Sequence, residues 1–213
     1  MTRRSAFVIA LLGAESTGKT TLAGEIGRAL TGRGLRVAVV GEALREFCIE
    51  HGRTPRRDEQ AAIADGQSRR IDVAASEAGI VVADTTALMI AVYSDFVFGD
   101  RSLYALAEAR QARCDLTLVT ALDLPWLPDG LQRDGAHVRE PVDALVRAAL
   151  QRSGQSFVVV SGTGEARLQS AWRAVRHALR LTREGAAAGS ANWHWICERC
   201  GDADCERHLL PRR

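Results

Sequence analysis

Aromatic side chains are scarce in this chain: two tyrosines, five phenylalanines and four tryptophans among 213 residues, or 5%. A planar ring bound by the protein therefore has few side chains to stack on, with Tyr93, Phe96 and Trp126 the available ones. Net charge is equally thin. Twenty-eight Lys and Arg against 26 Asp and Glu leave +2, which makes no electrostatic case for a nucleic-acid or membrane surface. No apolar run approaches the ~18 residues that a spanning helix needs. Only two of the five cysteines, Cys48 and Cys114, lie in the body of the chain; the other three crowd its tail. That usage argues against a disulfide framework and for free thiols or metal, as expected of a cytoplasmic protein. No internal repeat is present. The start, Met1-Thr2-Arg3-Arg4 before an apolar stretch, superficially resembles a secretory leader. Its apolar stretch feeds directly into a functional loop that removal would destroy, so it is read as part of the folded domain.

Gly13-Ala14-Glu15-Ser16-Thr17-Gly18-Lys19-Thr20 reads G-x-x-x-x-G-K-T. The apolar run Phe7–Leu12 leads into it and the helical stretch Thr21–Leu30 leads out. Strand, glycine loop and helix is the context that makes this pattern a phosphate-binding loop. The glycines let successive N–H groups face one anion at a helix N-terminus, Lys19 reaches the β- and γ-phosphates, and the Thr20 hydroxyl ligates Mg²⁺. Residues Gly13 to Thr21 are therefore expected to hold a nucleoside triphosphate, ATP by default.

Hydrophobic residues at 46% and charged residues at 25% are ordinary for a globular domain. Apolar segments alternate with amphipathic ones, the signature of a parallel sheet covered on both faces. Strands are expected over Phe7–Leu12, Leu35–Val40, Ile80–Ala83, Leu116–Thr120 and Phe157–Ser161. Helices are expected over Lys19–Thr31, Glu42–His51, Asp58–Ala78, Thr86–Phe98, Arg101–Arg113, Pro141–Arg152 and Glu165–Leu181. The fold class is α/β, a P-loop NTPase with a mostly parallel five-stranded sheet. Gly185-Ala186-Ala187-Ala188-Gly189-Ser190-Ala191 reads as a small-residue linker, dividing the chain into a kinase-like domain over 1–184, a linker over 185–192 and a tail over 193–213.

Ligands of open α/β sheets bind beyond the carboxyl ends of the strands. Glu42, after the second strand, is a candidate to take or orient the proton of an acceptor hydroxyl, or else a favourable charge at a helix N-terminus. Arg45 and Glu46 follow it as substrate ligands or solvated residues. Asp84 ends the third strand as a Mg²⁺ ligand, as the cap of the next helix, or both. The segment Asp123–Pro141 has the length of a lid, and Arg133 and Arg139 within it could neutralise charge on a transferred phosphoryl group. Ser161-Gly162-Thr163-Gly164 is a loop suited to pass an adenine base.

With these segments in order, the body resembles the ribosylnicotinamide (nicotinamide riboside) kinase domain of NadR-type proteins. The matching features are the loop with Glu15-Ser16 inside it, Glu42 through Arg45-Glu46-Phe47, and Gly66-Gln67-Ser68-Arg69-Arg70-Ile71-Asp72. Ile80-Val81-Val82-Ala83-Asp84-Thr85, Asp115-Leu116-Thr117-Leu118 and Trp126 to Arg133 complete the set, in one register over roughly residues 5–180. The resemblance implies ATP-dependent phosphorylation of the 5′-hydroxyl of nicotinamide riboside. It supports Lys19, Thr20, Asp84, Glu42 and Arg133 in the roles above and adds Gln67 and Arg70 as substrate contacts, residues that would otherwise pass for a solvated helix face. The chain departs from the family at Gln67-Ser68, at Arg70, where the family carries an aromatic, and in lacking the adenylyltransferase and DNA-binding parts.

The tail places Cys197 and Cys200 at two-residue spacing and repeats it with Cys205 and His208. Four such ligands describe a closed structural Zn²⁺ site of knuckle size, with His194 as a substitute for His208. Glu198, Asp202, Asp204 and Glu206 offset its arginines and disfavour nucleic acid as a partner. Two functions thus compete: a small-molecule kinase acting on a nucleoside-like acceptor, and a nucleotide-dependent regulatory NTPase whose zinc tail engages a protein or nucleic acid. The arginine-bearing lid favours the kinase.

Overall fold

A computed structural model of the chain describes residues 6–127 and 136–187. Two compact units are distinguished, 1–176 and 177–213, and the described part of the second is the C-terminal end of the last helix.

In the first unit five parallel strands are ordered β2-β3-β1-β4-β5, with β1 Phe7–Leu12, β2 Val37–Val40, β3 Ile80–Asp84, β4 Leu116–Thr120 and β5 Val158–Val160. Every residue of β1 and of β3 is buried, as near-continuous apolar strands must be when helices cover both faces. The edge strands differ: Val39, Val158 and Val159 remain exposed. Around the sheet run α1 Lys19–Thr31, α2 Ala43–His51, α3 Gln60–Glu77, α4 Ala87–Phe98, α5 Tyr104–Gln111, α6 Arg139–Arg152 and α7 Gly164–Ala187.

Two expected strands and the first helix have the bounds read from sequence; the other elements shift for local reasons. On α4 six successive residues, Ala87 to Val92, are buried, because the helix is apolar on all sides and sits inside the larger core cluster. Its start is Ala87 because Thr86 serves as the cap, accepting from the Leu88 N–H at 3.2 Å. The α5 helix begins three residues later than expected. Gly99 ends α4 in the left-handed conformation, and Asp100 then accepts from the Ser102 N–H at 3.0 Å, holding Arg101–Leu103 in a turn. Residues 57–59 form a short 3₁₀ turn, so α3 proper begins at Gln60. Pro141 does not open α6 but lies in its first turn, where a missing N–H costs nothing. The expected linker is helical over its first three residues, since α7 continues to Ala187 through an alanine-rich stretch.

Strand register sets the site. Leu11 pairs with Asp84 and Leu12 with Val119, so the carboxyl ends of β1, β3 and β4 finish side by side. Gly13, Asp84 and Thr120 are thereby brought to one edge of the sheet.

Candidate active site

The loop between β1 and α1 is braced from β4. Gly13 has φ 144°, and a Cβ there would stand 2.1 Å from Thr120 Oγ1. Gly18 has φ 75°, with Leu124 Cδ1 2.9 Å from its virtual Cβ. Neither position accepts a side chain. Thr17 Oγ1 donates to Ala14 O at 2.8 Å and accepts from Thr120 Oγ1 at 2.7 Å. Buried Lys19 curls across the loop, its Nζ 2.8 Å from Ala14 O. The start of α1 has no side-chain cap and no acidic residue in its first turn, which leaves its N–H groups to an anion. Thr20 and Thr21 are exposed at that helix end and line the adjoining cavity.

A second brace escaped the sequence reading. Arg167, near the start of α7, is 4% exposed and donates through Nη2 to Thr17 O at 2.6 Å. Through Nη1 it reaches Asp123 Oδ1 at 2.7 Å and Gly162 O at 2.9 Å. Burial works against the charge on Asp123, but the Gly162 N–H and the Arg167 guanidinium outweigh it and hold the carboxyl below its usual range. One arginine thus ties the phosphate loop to the ends of β4 and β5. Its signal was phase: Arg167, Ala171 and Val175 lie four apart and are all buried, so a cation stood in the apolar stripe of the helix. Gly162, expected at an adenine loop, serves this brace.

Asp84 is 2% exposed, and its Oδ1 has no hydrogen-bond partner among the described residues. The cap of α4 is Thr86, so capping does not account for Asp84. A buried carboxylate oxygen without a partner, beside the end of β1, suits a hard oxygen-seeking cation. Glu42 stands at the N-cap position of α2 but makes no side-chain capping bond. Its largely buried carboxylate lies 3.5 Å from Arg45 Nε, and both residues line the cavity.

Other expected residues lie elsewhere. Gln67 is fully buried: its Oε1 accepts from Ala43 N at 2.8 Å, and its Nε2 donates to Gly41 O at 3.1 Å and Thr85 O at 3.2 Å. It clasps the end of β3 to the β2–α2 turn and is not among the cavity-lining residues. Arg70 pairs with Glu46 on the helix surface, outside the cavity. Arg139, the first residue of α6, is buried and donates to Leu124 O at 2.9 Å, bracing the segment that covers Gly18. Arg133 and the tail residues Cys197, Cys200, Cys205 and His208 lie outside the described residues. Among the described residues no group of three or more His, Cys, Asp or Glu gathers as a metal cluster.

The cavity encloses about 650 Å³, within the range of small-molecule sites. Its lining includes the phosphate loop from Glu15 to Thr21, together with Glu42 and Arg45. The lining also includes Leu44 and Cys48 of α2 and Tyr93 and Phe96 of α4. Tyr93 and Phe96 supply two of the three expected aromatics; Trp126 is not a lining residue. Ser16 Oγ donates to Leu127 O at 2.7 Å and accepts from Leu127 N at 3.2 Å, closing the segment after β4 onto the loop.

The sequence profile of the family described as AAA domain matches residues 8–167. No curated protein matches the chain. Among solved structures, NadR protein in complex with NR is 23% identical with a TM-score of 0.66, over 81% of this chain and 50% of that one. NadR protein in complex with NAD and AMP-PNP is 22% identical with a TM-score of 0.64, over 81% and 49%. Thymidylate kinase from Ehrlichia chaffeensis is 12% identical with a TM-score of 0.57, over 82% and 99%. The chain thus spans about half the length of the NadR chains, and at these identities the likeness establishes the fold.

Proposed function

The chain belongs to the AAA domain family of P-loop proteins, and from that premise we propose that it is an ATP-dependent kinase that phosphorylates a hydroxyl of a nucleoside. The 5′-hydroxyl of nicotinamide riboside, giving nicotinamide mononucleotide, is the acceptor favoured by the motif resemblance and by the NadR protein crystallised with NR. One observation carries this reading: a single cavity is lined by the phosphate loop and by apolar and aromatic side chains of α2 and α4, with Glu42 in the same lining. An NTPase that only hydrolyses and switches needs the loop alone.

The α1 N–H groups and Lys19 hold the triphosphate of the donor, which enters as substrate. Thr20 and Asp84 are the residues that would hold Mg²⁺, whose charge neutralises the phosphates. Lys19 would leave the Ala14 carbonyl for a phosphate oxygen. Glu42, largely buried and held by Arg45, accepts the hydrogen bond of the acceptor hydroxyl and aligns it on the γ-phosphorus. The apolar and aromatic lining keeps water from competing for that phosphorus. Arg133 is proposed to complete the charge neutralisation; Arg139 serves through the main chain of Leu124. The tail ligands Cys197, Cys200, Cys205 and His208 are proposed to bind one structural Zn²⁺.

The test is ADP release from Mg·ATP with nicotinamide riboside, adenosine, uridine, thymidine or no acceptor. Stimulation by a nucleoside supports the kinase, and stimulation by nicotinamide riboside alone supports the full reading. Nucleotide binding with no stimulation by any nucleoside would instead favour the regulatory NTPase.

A further inference from the structure

The cavity lining includes a buried amide whose oxygen the described fold leaves unused. Gln60, the first residue of α3, is 4% exposed and lines the cavity, yet its Oε1 is buried without a hydrogen-bond partner among the described residues. A buried amide oxygen left in this state destabilises the ligand-free protein. The contrast with Gln67, seven residues on, is direct: that amide uses both its oxygen and its nitrogen on main-chain groups of the fold. Gln67 has a structural use, whereas the Gln60 Oε1 has no partner among the described residues.

The surroundings define what would pair with it. The cavity that Gln60 lines also carries the uncharged residues Leu44, Cys48, Thr54, Pro55, Tyr93 and Phe96. The charged lining residues, Glu15, Lys19, Glu42 and Arg45, carry both signs. An unpaired acceptor oxygen calls for a donor, which a carboxylate or a phosphate does not offer. The faces of Tyr93 and Phe96 suit a planar heterocycle, including a cationic one. The amide of Gln60 presents an acceptor and a donor side by side, which is the complement of a neutral carboxamide or lactam edge.

We propose that Gln60 is a specificity-determining residue. It pairs with a neutral amide edge on the base of the acceptor and so selects carboxamide- or lactam-bearing nucleosides over carboxylate analogues. This rests on the nucleoside-kinase reading above and adds which part of the acceptor is recognised.

The experiment measures equilibrium binding of three ribosides to protein saturated with Mg·AMP-PNP: nicotinamide riboside, nicotinic acid riboside and the unsubstituted pyridinium riboside. Wild type should favour the carboxamide by about tenfold or more over both analogues. In Gln60→Leu, and in Gln60→Met as an independent replacement, that preference should shrink to within about threefold, while Tm holds or rises because an unsatisfied buried polar group has gone. Undiminished preference in either folded variant, or a lowered Tm together with uniform loss of binding, overturns the proposal. Running ADP release alongside separates the two readings. Gln60-dependent preference without turnover removes the kinase and keeps the recognition; turnover with Gln60-independent preference does the reverse.

Discussion

Two side chains in the site are near-opposites in how they act. Glu42 is proposed to touch the reacting hydroxyl, so Glu42→Gln should lower the phosphoryl-transfer rate about 100-fold or more while changing ATP affinity little. Single-turnover kinetics with a separate nucleotide-binding titration would check this, and a loss confined to affinity would move the base elsewhere. Arg167 touches no reacting atom and acts through the main chain of Thr17. Arg167→Ala strands the Thr17 and Gly162 carbonyls and should cost about 1–3 kcal/mol of stability. Because the loop itself shifts, ATP binding should weaken as well, and a calorimetric titration beside a denaturant curve would register both. The two residues also differ in legibility. Glu42 follows a strand in a known context, whereas Arg167 mattered only once α7 had been laid against loops 40 and more residues away in sequence.

Helices and turns hold the cavity walls by polar clasps. Gln67→Leu would leave Ala43 N, Gly41 O and Thr85 O without their side-chain partner, at a cost of about 2–4 kcal/mol, since orphaned buried groups lose their full desolvation. Its effect should appear in the denaturation midpoint, with nucleoside preference among the surviving folded molecules unchanged. Two ion pairs form further clasps. Arg53 holds Glu59 and Arg57 holds Asp100, and the guanidinium hydrogen bonds bring each carboxyl down to about 2. A depressed carboxylate contributes stability that is present above its unfolded value and lost as pH falls through the folded one. The loss should therefore fall between about pH 4 and pH 2, and be small, because the arginine partners lie at the surface where water screens the pairs. Asp100→Asn should flatten the stability–pH curve in that window by lowering stability slightly near pH 7 while leaving it unaltered below about pH 2. Helix edges were the weakest part of the sequence reading for the same reason: capping by Thr86 and the Asp100 turn are local hydrogen-bond choices, and periodicity does not report them.

At the scale of the whole chain, the P-loop body is followed by a cysteine-rich C-terminal segment that the proposed chemistry does not use. If Cys197, Cys200, Cys205 and His208 bind zinc, the purified protein should contain about one Zn²⁺ per chain, and Cys200→Ser should lose it while ADP release stays near wild type. Metal analysis of both proteins decides the point, and a metal-free wild type removes the zinc reading.

Sequence alone determined the phosphate loop, the α/β alternation and the core strands, because each is a short-range pattern: a glycine spacing, an apolar run or a helical phase. It also singled out Asp84 and Glu42, since a strand end followed by a carboxylate is visible within a few residues. Tertiary structure alone decided which polar residues are spent on the fold and which remain for a ligand. Gln60 and Gln67 lie on one helix and look alike in sequence, and each has the same amide. Only the placement of Gly41, Ala43 and Thr85 around Gln67, and of the cavity beside Gln60, separates them. The physical reason is that hydrogen-bond satisfaction depends on partners distant along the chain, and no local pattern encodes those.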